Sequence, residues 1–164
     1  MKQVGHSESI VQHLDDENIQ ERLEAMLSHS DGIRGFFVTY LTLQQPSAGI
    51  PDSLLKAMNT VDEKELVPLA CMNVVMPTAM ITMHQDAELS DQSRTTAERG
   101  LAVLLALSDK ALVQRNVRAI AAVAEGRVDA DIDLVEYWTT FFEKWGYQEL
   151  QKRDIAQAMK ALLP

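Results

Sequence analysis

The run LVPLACMNVVMPTAMITM, residues 66–83, has no charged side chain at any of its eighteen positions and contains two prolines, Pro68 and Pro77. A segment this long and this free of charge either crosses a membrane or fills the centre of a folded domain. A membrane span needs about twenty predominantly apolar residues and favours basic flanks. Here Asn73, Thr78 and Thr82 interrupt the run, and the nearest cation, Lys64, lies between Glu63 and Glu65. The expectation is a buried central element, with no membrane partner. Pro77 lacks an amide proton, and its ring crowds the carbonyl of Asn73. Proline also suits the first residue of a helix. The sequence therefore predicts a central helix pair, kinked or broken at Pro77.

The same run holds Cys71, the only cysteine, and Met72, Met76, Met80 and Met83, four of the eight methionines. Thioether and thiolate sulfur suit Cu(I), and this spacing lines one face of an unbroken helix. A break at Pro77 divides that stripe, and methionine commonly fills irregular core space. The reading is packing. Cys71, between Leu69, Ala70 and Met72, reads as a buried and inert thiol.

On either side of this run the apolar residues recur at helical spacing. A chain of 164 residues is long enough for one domain with a real core. Residues 1–6 read as a tail and 7–164 as a single helical domain, with a loop at 45–51 in QQPSAGIPDS. Helices are expected from Asp15 or Asp16 to about Ser28, after Ser30 or Asp31, over 52–59, and from Asp62. Further starts are expected at Ser90 or Ser93, at Ser108, and at Asp133-Leu-Val-Glu136, with a last helix over about 149–163. Gly126 and Gly146 are the expected helix stops. Leu101, Leu104, Leu105, Val113, Val117, Ile120, Trp138, Phe142, Trp145, Ile155 and Met159 are expected to face inward. The fold class is all-α: a single-domain antiparallel helical bundle or small helical stack of seven to eight helices.

One stretch, LLALSDKALVQRNVRAIAAVAEG (residues 104–126), resembles a single HEAT-type helical repeat. It has a leucine-rich first helix, Asp109 at the turn, and Val117-Arg118 followed by Ala121 and Ala122. No second copy follows, and a repeat array needs about three units. The resemblance implies a helix–turn–helix over these residues.

Charge and motif content exclude several functions. The net charge of −9 disfavours a nucleic-acid partner. Arg115 and Arg118, with Lys110 and Arg127 nearby, read as a solvated helix face. Phosphate loops of the GxGxxG and GxxxxGK[ST] kinds are absent, as is a GxSxG elbow. Asp129, Asp131 and Asp133 alternate as in a calcium loop, but Leu134 occupies the position that needs glycine. Thr140 stands where a bidentate glutamate is required. A single cysteine gives no disulfide framework, and the first ten residues hold no apolar signal core, so the cytoplasm is the expected location.

Two constellations remain as candidate sites. His13 with Glu17, and His84 with Glu88, have the i, i+4 spacing that lets one helix face grip a metal. Met76, Met80, Phe37, Tyr40, Trp138 and Phe142 are the residues from which a ligand pocket between helices would be built. If the two aromatic groups do not meet, one is exposed and becomes an interface. No cofactor is expected. The expected function is a helical protein–protein interaction or self-associating module without catalytic activity. Behind it stand a small-molecule or cofactor binder and, third, a metal-dependent enzyme.

Overall fold

The computed structural model describes residues 24, 25, 27, 31–36, 52–128 and 131–164. All regular structure among them is helical, with no strand, so the protein is an all-α helical stack. By internal packing the chain divides into two compact units, Met1–Ala70 and Cys71–Pro164.

In the first unit residues 31–36 are helical, and Leu27, Ile33 and Phe36 are fully buried. Helix α1 spans Asp52–Thr60 and buries Leu54, Ala57 and Met58, the i, i+3, i+4 face its pattern implies. Helix α2 spans Glu63–Met83. Asp62 stands just before it, its carboxylate accepting from the Lys64 amide at 3.0 Å, and Glu63 and Glu65 occupy the first turn. Val67, Leu69 and Ala70 belong to its buried residues.

The central helix pair does not form. One helix of 21 residues runs through both Pro68 and Pro77. Length and composition alone would let it cross a membrane, and 56% of its apolar window is buried inside the protein. Around Pro77 a neighbouring helix packs closely. Proline there removes the amide that would bond the Asn73 carbonyl. Helix α3 spans Ala87–Ala106, and its buried Gly100 sits against that same carbonyl. A Cβ built on Gly100 would lie 2.5 Å from the Asn73 oxygen and 3.3 Å from Val74 Cγ2. Only a residue without Cβ lets the two backbones come this close. α3 thus packs at its closest against the turn of α2 that Pro77 follows.

Several expected helix starts shift by a few residues. Asp86, rather than Ser90 or Ser93, caps α3, accepting from the amides of Glu88 at 2.8 Å and Leu89 at 3.3 Å. Ser90 instead donates to the Ile81 carbonyl at 2.7 Å, tying α3 to the end of α2. Helix α4 spans Ala111–Glu125 with Lys110 at its N-cap. Ser108, the expected cap, donates back to the Leu105 carbonyl at 2.6 Å. Residues 107–110 form the turn between α3 and α4. Helix α5 spans Ile132–Trp145 and starts at Asp131 instead of Asp133, and α6 spans Glu149–Lys160, its start reinforced by a Gln148/Gln151 capping box. Gly126 and Gly146 end α4 and α5 with φ of 69° and 66°, as expected.

Helix α4 packs against both α5 and α6. Val113, Val117, Ala119, Ile120, Ala121 and Ala122 are all fully buried. Trp138 on α5 is 0% exposed, and its indole N–H donates to Asn116 Oδ1 at 3.0 Å. Asn116 in turn donates to the Leu112 carbonyl at 2.9 Å, so a buried polar pair fixes how α5 meets α4. Gln151 donates to Thr82 Oγ1 at 3.0 Å, linking α6 to the end of α2. Two residues expected inside lie outside: Leu105 is 57% and Trp145 44% exposed, because each stands at the C-terminal end of its helix.

Candidate functional site

Four members of the expected ligand pocket lie among the described residues. Trp138 and Phe142 are core residues, Met76 is half-buried, and Met80 is exposed. Phe37 and Tyr40 lie outside the described residues. The same holds for His13 and Glu17 of the candidate metal set. For His84 and Glu88 the backbone settles the geometry. α2 stops at Met83 and α3 starts at Ala87, so the two residues do not share one helix face. Asp86, between them, is committed to capping α3. Among the described residues no group of three or more His, Cys, Asp or Glu side chains is placed to hold a metal ion.

Cys71 is fully buried, and burial pushes its thiol up to about 12. It lacks the exposed, electropositive surroundings of a reactive cysteine.

Two surface features stand out instead. The first is the aromatic ladder of α5. From the buried Trp138, ring contacts run to Tyr137 at 5.1 Å and Phe141 at 5.3 Å, and from Phe141 to Trp145 at 6.3 Å. Tyr137 and Trp145 are each 44% exposed. Lys144 lies 5.6 Å from the Trp145 ring centre. Tyr147, just past the helix, packs edge-on to Phe142 at 5.2 Å, and burial raises its phenol to about 12.

The second feature is a groove of about 460 Å3 between the C-terminal end of α4 and one face of α6. Glu149, Lys152, Arg153, Ala156, Gln157 and Lys160 line it from α6, facing Val123, Ala124, Glu125 and Gly126. The α6 residues recur at the spacing of a single helix face. Glu125 accepts from Arg127 Nη2 at 2.7 Å and Nε at 3.1 Å, and pairs with Lys160. These hydrogen bonds, the one from Lys160 first, lower its pKa. A separate pair, Arg115 Nε to Asp131 Oδ2 at 2.7 Å, joins α4 to the start of α5; that bond raises the arginine and lowers the aspartate. Sequence reasoning flagged Arg115 and Arg127 but missed the groove, since Lys152, Arg153 and Lys160 look like the solvated side of an ordinary amphipathic helix.

Helices packed this way, with no strand among the described residues, define an all-α stack with a mixed-charge groove and a partly exposed aromatic face. The chain belongs to the family described as "Uncharacterised conserved protein UCP020893", whose model matches residues 6–162. No curated protein and no solved structure matches it.

Proposed function

We propose that this chain is a protein-interaction module whose contact surface includes the exposed rings of Tyr137 and Trp145 on α5. The observation that supports this is the half-exposure of Tyr137 and Trp145 on a helix that buries Trp138 and Phe142 and half-buries Phe141. Large aromatic side chains anchored by neighbouring rings are the usual hot spots of interfaces, since they present wide apolar area at small entropic cost. Trp138 and Phe141 support the exposed rings from behind, at 5.1–6.3 Å.

The test is light scattering over a wide concentration range, together with cross-linking capture of bound proteins. The reading expects either a concentration-dependent rise above the 18.3 kDa monomer mass or a specific captured partner. The Tyr137→Ala, Trp145→Ala double variant is expected to abolish whichever is seen while its melting temperature stays within a few degrees. A wild-type chain that remains monomeric and captures nothing refutes the proposal, as does a double variant that associates normally.

A further inference from the structure

The groove between α4 and α6 has an unusual charge balance for this protein. Its lining holds three cations, Lys152, Arg153 and Lys160, against two carboxylates, in a chain of net charge −9. Within the groove the charged groups are Glu125, Glu149, Lys152, Arg153 and Lys160. Glu125 is already satisfied by Arg127 and Lys160, and Lys160 is committed to it in return. Lys152 and Arg153 make no ion pair with any described residue. They sit in the first turn and a half of α6, where the helix dipole adds positive potential. One carboxylate, Glu149, remains against these two cations. The space is real: Ala124 and Ala156 are small, and a Cβ on Gly126 would meet nothing within 4 Å. A volume of about 460 Å3 lies in the range of small-ligand sites.

We propose that this groove binds a small multivalent oxyanion through Lys152 and Arg153. A phosphate ester and a polycarboxylate share the required chemistry. A guanidinium fork and an ammonium beside it match two oxygens of one such group, which a monovalent anion beside Glu149 does not exploit as well. The site is separate from the α5 surface and does not rest on it.

The experiment is calorimetric titration of the full chain with inorganic pyrophosphate and, in a second arm, with citrate, ionic strength being matched with sodium chloride. Saturable binding of one ligand per chain is expected in at least one arm. Pyrophosphate alone identifies phosphate as the recognised group, whereas binding in both arms identifies charge and oxygen geometry. Arg153→Gln is expected to weaken binding about tenfold and Lys152→Gln by somewhat less. Glu149→Gln is expected to tighten it about threefold by removing the opposing charge. Arg153 is exposed, so its variant keeps the fold, which circular dichroism checks. Absence of saturable heat in both arms overturns the proposal. So does binding that is the same in wild type, Arg153→Gln and Lys152→Gln.

Discussion

Two helix contacts in this protein each carry a glycine, and they come out differently. At the α2–α3 contact, Gly100 lies inside a helix and against a backbone carbonyl, and the contact is closed. At the α4–α6 contact, Gly126 lies at a helix end in the left-handed conformation, with open space beside it, and the contact leaves a groove. The first glycine is required by what it touches, the second by its own backbone angle. A missing side chain therefore closes one interface and leaves the other open, and the decisive variable is where along the helix it falls.

Substitution at Gly100 tests the closed contact and carries the largest expected effect. Gly100→Ala drives a Cβ to within 2.5 Å of the Asn73 carbonyl, so α2 or α3 has to shift. Destabilisation of about 3 kcal/mol is expected, read as a lowered denaturant midpoint. A loss below about 0.5 kcal/mol contradicts the closeness of the α2–α3 contact.

Alkaline titration separates the two regions by their buried acids. Cys71 lies on α2, with a thiol raised from 9.0 to about 12, and Tyr147 at the α5–α6 connection has a phenol raised from 10.0 to about 12. Both are neutral when protonated, and the folded state holds the proton more tightly than the unfolded chain. Below pH 9 both states are protonated and stability is unaffected by either group. As pH rises from 9 to 12 the unfolded chain ionises first, and stability falls by a few kcal/mol. In Cys71→Ala the onset of this fall is expected to move from about pH 9 to about pH 10, where Tyr147 begins to contribute. An onset unchanged by the substitution contradicts the burial of the thiol.

Gly126→Ala has the smallest expected effect of the three. No atom stands in the way of the added methyl, so the cost is only that of φ = 69° in a residue with a Cβ, about 1 kcal/mol. A loss equal to that of Gly100→Ala would erase the distinction between the two contacts.

Much of the α-helical layout is legible in the sequence because it depends on local chemistry. The apolar spacing of Val113, Val117 and Ile120, or of Trp138 and Phe142, places the buried faces. Gly126 and Gly146 end their helices by conformational freedom alone. Starts were read less well, since several polar residues compete for each cap. Ser90 and Ser108 look like caps, yet their hydroxyls donate to the carbonyls of Ile81 and Leu105. Asp131, at the start of α5, engages Arg115. The pair His84 and Glu88 shows the same dependence on context. The i, i+4 spacing of His84 and Glu88 has meaning only on a continuous helix, and the helix ends between them.

By itself the sequence determined that this chain is helical, where most of its inward faces lie, and that residues 66–83 are mostly core, because periodicity and absence of charge act over short range. Only the tertiary structure decided that α2 runs through Pro77 as one helix and that Gly100 of a different helix comes up to the Asn73 carbonyl. It also decided that Trp138 is core while Trp145, seven positions on, is half exposed. Both lie on the same side of α5, but Trp138 is tied to Asn116 of α4 through its indole, while Trp145 is the last residue of the helix.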